Sequence, residues 1–108
     1  MTDKELLEYA AKAAGLQVRG WIGNDCIYYD PITNHTGHGD WNPITNDGDA
    51  LRLAVKLQLD VLHTDYFVRV SNRDDNRWEI ELGVLDGRGA ATRKAIVSAA
   101  AQIGRGME

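Results

Sequence analysis

Apolar residues recur along this chain with two different periods, and the switches between them divide it into elements. Leu6, Leu7, Ala10, Ala13 and Ala14 fall at helical spacing with Lys4, Glu8 and Lys12 on the other face, so a helix is predicted from Asp3. Thr2-Asp3-Lys4-Glu5 forms a capping box at its start, and Gly15 supplies a left-handed stop. Leu16-Gln17-Val18-Arg19 then alternates as a strand, extended by Trp21-Ile22. Gly23-Asn24-Asp25 turns the chain back into a second strand, Cys26-Ile27-Tyr28-Tyr29, and Asp30-Pro31 ends this hairpin because proline lacks the ladder donor.

From Asp30 to Gly48 no apolar period repeats, which reads as a long polar loop. Trp41 is suited to fix that loop to the core, and Pro43 holds Asn42 extended. Thr45, Asn46 and Asp47 are all good caps for a helix from Gly48 to about Gln58, and Asp47 and Asp49 complement its dipole. Ala50, Leu51, Ala54, Val55 and Leu57 are its expected buried face. Leu59 to Val70 reads as strand with a change of phase near His63-Thr64-Asp65, where a bulge or tight break is predicted. Ser71 to Arg77 is a polar turn. Trp78, Ile80, Leu82 and Val84 then alternate cleanly with Glu79 and Glu81, as in an antiparallel strand with one buried face. A last helix, Ala91 to Ile103, aligns Ala95, Ile96, Ala99, Ala100 and Ile103, with Gly104 and Gly106 as its stop.

These elements run αββαββα, three amphipathic helices with about four antiparallel strands, which is an α+β arrangement. A length of 108 residues with 44% of them apolar suits one domain spanning 1–108 with a single core. No apolar run approaches the roughly 20 residues of a membrane span. The charged start Met1 to Glu5 lacks the apolar stretch of a secretory signal, so the cytoplasm is the expected location. The lone Cys26 agrees, since it can form no internal disulfide.

The net charge of −4 conceals a segregation. Gly20 to Leu51 holds Asp25, Asp30, Asp40, Asp47 and Asp49 without a Lys or Arg, whereas Gly87 to Met107 holds Arg88, Arg93, Lys94 and Arg105 without an acid. Cations this few and this local argue against duplex nucleic acid as a partner, because such binding needs many phosphate contacts. The two poles either face each other, are solvated, or meet a partner.

Candidate chemistry is sparse. His35, His38 and Asp40, with Cys26 upstream, are residue types that ligate transition metals, but the intervening glycines suit a solvated loop better, and no metal is assigned. Asp47-Gly48-Asp49 fails as a calcium loop because its acids do not recur at alternate positions. His63 beside Asp65 is a weak candidate base at a strand irregularity. Asp86-Gly87-Arg88-Gly89-Ala90-Ala91-Thr92 leads into the last helix, where cations in a first turn oppose the dipole and call for an anion or a carboxylate. Arg88, Gly89, Arg93 and Lys94 are therefore the candidate binding set for a phosphate-bearing, nucleotide-like small molecule. Asp40, Trp41, Asp47 and Asp49 are the candidate protein-interaction surface. No set of nucleophile, base and oxyanion donor is recognisable, so no catalytic residue and no cofactor are expected.

Segments Glu5 to Gly15, Trp41 to Ala54 and Thr92 to Gly104 together resemble small bacteriophage and prophage proteins of the phage ABA-sandwich type. The resemblance covers most of the chain. It implies a sheet sandwiched between helical layers, a phage origin and a location in the host cytoplasm. It implies no reaction and transfers no functional residue, and the His35 to His38 segment is longer than the usual approach to the tryptophan. The expectation is a non-enzymatic accessory protein that binds a host or phage protein or forms a small homo-oligomer, with neither nucleic acid nor membrane as partner.

Overall fold

Local chemistry sets the first element as the capping box predicts. In the computed structural model, which describes residues 2–72, 79–85 and 87–107, the Glu5 amide donates to the Thr2 hydroxyl at 3.2 Å and the Thr2 amide to Glu5 Oε1 at 3.3 Å. Helix α1 (Asp3–Ala13) follows, and Gly15 stops it at φ +81°. Strands β1 (Gln17–Ile22) and β2 (Asp25–Asp30) form the expected hairpin, turning at Gly23 with φ +62°.

The presumed loop after Asp30 contains a further strand. Asp30 Oδ1 accepts from the amides of Ile32 and Thr33 at 2.9 and 3.4 Å, and the Tyr29 hydroxyl donates to Asn34 Oδ1 at 2.8 Å. These bonds fold the chain back, so that β3 (His35–His38) pairs antiparallel with β2. A strand of this kind has no apolar period to betray it. Its inward position is Gly37, where any Cβ would lie 2.3 Å from the Tyr28 ring.

Helix α2 (Asp47–Lys56) is capped by Asn46, whose side chain accepts from the Asp49 amide at 2.9 Å. Its buried face is Asp49, Ala50, Leu53 and Ala54. Leu51 and Val55, expected inside, are 64% and 68% exposed. Apolar residues occupy more than one face of this helix, so periodicity cannot choose its rotation. The choice is made by Asp49, whose buried carboxylate receives the Asn42 amide at 2.9 Å and Arg52 at 2.7 Å.

Leu59 to Val70 proves to be two strands, β4 (Leu59–His63) and β5 (Phe67–Asn72), joined by a tight turn instead of a bulge. The Thr64 hydroxyl makes the turn, accepting from the Phe67 and Tyr66 amides at 3.1 and 3.3 Å. Strand β6 (Glu79–Gly83) pairs with β5. Of the polar turn expected from Ser71 to Arg77, Ser71 and Asn72 prove to be the end of β5, and residues 73–77 lie outside the described residues, as do Trp78 and Asp86. Helix α3 (Arg88–Arg105) is longer than its periodic core, and Gly104 lies within it.

The α+β class holds, but the strands form two separate three-stranded antiparallel meanders, β1-β2-β3 and β4-β5-β6, in place of one sheet of about four. β3 adds a strand that the apolar pattern does not announce, and the break expected near His63-Thr64-Asp65 is a full turn that divides Leu59 to Val70 into two strands. Nor is the second sheet sandwiched by helices among the described residues. α2 and α3 cover one face, where Val68 and Val70 are fully buried, and the other face shows Leu62 and the Arg69 to Glu81 ion pair. α1 packs along α3 and also carries β1, with Trp21 Nε1 donating to Glu8 at 2.8 Å. Among the described residues no helix is long and apolar enough to cross a membrane.

The closest helix approach is α1 on α3, where a Cβ on Gly104 would meet the Tyr9 carbonyl oxygen at 1.8 Å. Alanine in a helix interior ordinarily gains about 1 kcal/mol over glycine. Here Gly104→Ala is expected to lose roughly 1–3 kcal/mol by forcing the helices apart. In urea denaturation, Gly106→Ala, whose Cβ would have its nearest neighbour at 3.6 Å, should stay within about 0.5 kcal/mol of the parent.

Candidate ligand groove

α3 lies over β5 and β6, whereas α2 only grazes β4, and between them a groove of about 610 Å³ stays open. Ala50, Leu51, Ala54, Val61 and Ile96 make an apolar floor and wall. His63, Arg88, Gly89, Thr92, Arg93 and Asp47 add the polar groups. The volume is within the roughly 300–1,000 Å³ of small-molecule sites, and an apolar surface with a few convergent polar groups is their usual make-up.

The end of the groove at the start of α3 is cationic. Arg88 donates to the Thr64 carbonyl at 2.6 Å, and its guanidinium is 3.4 Å from His63 Nδ1. Arg93 is held more firmly: Nε donates to the Ile44 carbonyl at 2.8 Å and Nη1 reaches Asp47 Oδ1 at 2.6 Å. The N-cap of α3 is Gly87 at φ +127°, with no side-chain cap, and the first turn carries no acid. The first-turn amides thus add positive potential to that of the guanidinium groups. Asp47 opposes Arg93, but its side chain is 84% exposed, and such a pair is worth under about 1 kcal/mol.

Of the binding set read from the sequence, Arg88, Gly89 and Arg93 come together here. Lys94 does not. One residue on, it points to another flank of α3 and lies 3.8 Å from Asp3. The acidic set is dispersed: Asp47 lines the groove, Asp49 is buried in its own bonds, and Trp41 is half-buried against the Tyr28 ring at 6.3 Å between centroids. His35 and His38 sit three apart on β3 and so face opposite ways, His35 toward Asp40 at 3.6 Å and His38 toward Asp25 at 3.9 Å. The sequence reading missed Thr92, Val61, Ala54 and Ile96. The one signal for them was an excess of apolar residues around α2, more than a single buried face can use.

Behind α2, Tyr28 is pushed up to about 12 by burial and then by its bond to Asp40. Burial alone would raise Asp40 as well, but bonds from Tyr28, from its own backbone and from His35 outweigh that and hold its carboxyl below the usual 3.8. Burial also raises the Cys26 thiol, with Glu8 adding to the effect. No family model, curated protein or solved structure matches the chain.

Arg93→Ala should lower stability by roughly 1.5–3 kcal/mol, the worth of hydrogen bonds from a charged donor, and Asp47→Ala by less than about 1 kcal/mol. Chemical denaturation of both variants measures the difference. Tyr28 favours the fold below pH 10, its unperturbed pKa, and that contribution is lost as pH rises through about 12. Asp40, with a lowered pKa, contributes above pH 3.8 and loses its contribution as pH falls below that value. In Tyr28→Phe the urea midpoint should therefore change less with pH at both extremes, and less on the acid side because Asp40 is exposed.

Proposed function

We propose that this protein acts by binding, and that the groove between α2, β4 and the start of α3 takes a phosphate-bearing small molecule with an apolar or aromatic body. The observation that carries this reading is the placement of Arg88 and Arg93 at one end of an apolar floor. A phosphate at that end meets two guanidinium groups and the amides of an uncapped helix. The body of the ligand covers Ala54, Val61 and Ile96, which are apolar and accept no hydrogen bond. Inorganic phosphate alone leaves that floor wet and should bind more weakly. The proposal includes no reaction and transfers no residue role from the phage likeness of segments 5–15, 41–54 and 92–104, although a phage-encoded accessory role in a host cytoplasm remains part of the reading.

A second reading, contact with another protein, is favoured by a separate observation: Leu51 and Val55 are exposed beside β4, which has one ladder partner among the described residues. It replaces the acidic surface around Asp40 and Asp49, where Asp49 and Trp41 are engaged within the fold.

Thermal melting with a nucleoside monophosphate, an aryl phosphate and inorganic phosphate tests the first reading. A ligand at a hundred times its Kd adds about 2.7 kcal/mol, which is a rise of several degrees for a domain of this size. The organic phosphates should raise Tm more than inorganic phosphate does, and Arg88→Glu should abolish the rise. No rise with either organic phosphate at millimolar concentration, or an equal rise in Arg88→Glu, overturns it.

A further inference from the structure

β4 is the outermost strand of its sheet, and β5 is its one partner among the described residues. Leu59, Val61 and His63 face the helical side, with Leu59 on the core and Val61 and His63 in the groove. Leu62 faces the other side and is 50% exposed. Next to Val61, α2 presents Leu51 and Val55, one turn apart and each more than half exposed. An open strand edge and an uncharged helix stripe therefore lie side by side on one surface, and each is a feature that proteins usually cover.

We propose that this surface docks a second copy of the chain, with β4 pairing antiparallel to β4 of the partner about Val61 and the two Leu51 to Val55 stripes meeting across the two-fold axis. The pairing of an edge strand with an exposed helix stripe selects this occupant. An extended peptide would complete the strand edge and leave the stripe bare, and a lone helix would do the reverse. A second copy brings a strand and a helix at the spacing already set by the first, as a two-fold contact requires.

The register is self-consistent. With Val61 on the axis of the five-residue strand, Leu59 opposes His63 and Asp60 opposes Leu62. Positions that face the helices then meet positions that face the helices, because opposed residues share a face. The outcome is one six-stranded sheet with the two α2 helices side by side on it.

The charges are compatible as well. Arg52 and Lys56, the cations of α2, are drawn to the opposite flank, Arg52 by Asp49 and Lys56 by the Ala14 carbonyl. Leu51 and Val55 themselves carry no charge that would repel a second copy. A stable interface buries at least roughly 1,000 Å², more than Leu51, Val55 and Val61 supply alone. Pairing of the strand edges is thus a required part of the contact.

The proposal does not rest on the ligand reading, and the variants at Val55 and Leu62 leave Arg88, Arg93 and the groove lining intact, whereas Val61→Cys alters the groove wall and is read only by its disulfide. Sedimentation of the full chain over a range of concentrations should give twice the 12.0 kDa chain mass. Val55→Glu and Leu62→Glu, both at exposed positions, should keep the parent circular dichroism and weaken association at least tenfold, the second because it sets a like charge opposite Asp60 of the second copy. Val61→Cys should oxidise to a disulfide-linked dimer, whereas Asp25→Cys, on the other sheet, should not. A chain that is monomeric at all concentrations overturns the proposal, as does a dimer indifferent to Val55→Glu. A monomer that instead binds an extended peptide at β4 also overturns it, in favour of a strand donor.

Discussion

The backbone of α3 at Gly104 lies against the backbone of α1 at Tyr9, and most other placements depend on that approach. Only small side chains permit it. Ala10 and Ala11 on α1, Ala14 just after it, and Ala100 and Ala101 on α3 are buried with little or no exposed surface, so the two helices pack as a pair with α3 at the centre of the fold. The other side of α3 is thereby committed to β5 and β6, where Val68 and Val70 complete the core. α3 is long because its last turns pack on α1 while its first turns extend beyond that contact. Those first turns, with Arg88 and Arg93, are what remains to form the cationic end of the groove.

The groove and the exposed helix stripe have one cause. α2 is rotated by its bond network at Asp49, Asn42 and Arg52, a clamp between the helix start and the segment that precedes it. That rotation turns Leu53 inward and Leu51 and Val55 outward. Because α2 then touches β4 lightly, the sheet keeps an uncovered margin along Val61. A ligand at the cationic end and a second copy along the strand edge would use different parts of this margin, with Leu51 and Val61 shared between them.

Charge segregation along the chain is resolved within the fold. Arg93 from the basic segment meets Asp47 from the acidic one, and Lys94 meets Asp3. These pairs are largely exposed and add little stability. Their consequence is positional: Arg93 ties α3 to the Ile44 carbonyl and so holds the approach to α2 against the central helix. Of the acidic set, Asp49 is buried and Trp41 packs on Tyr28, whereas Asp40 and Asp47 keep exposed carboxylates.

What the sequence determined by itself was set within a few residues. The capping box at Thr2, the left-handed Gly15, the hairpin at Gly23 and the alternation of Ile80 and Leu82 are local hydrogen bonds and local periods, and they occur where the residues call for them. The α+β class and the grouping of Arg88, Gly89 and Arg93 were legible for the same reason. Tertiary structure decided the rest. β3 exists because β2 offers it a ladder, Gly104 is part of a helix because Tyr9 lies against it, and α2 faces as it does because a buried carboxylate must be paired. Each of these depends on a group far away in the chain or on a desolvation cost that no local period records. The open margin along β4 belongs to the same class, since whether an apolar residue is covered depends on the elements that reach it.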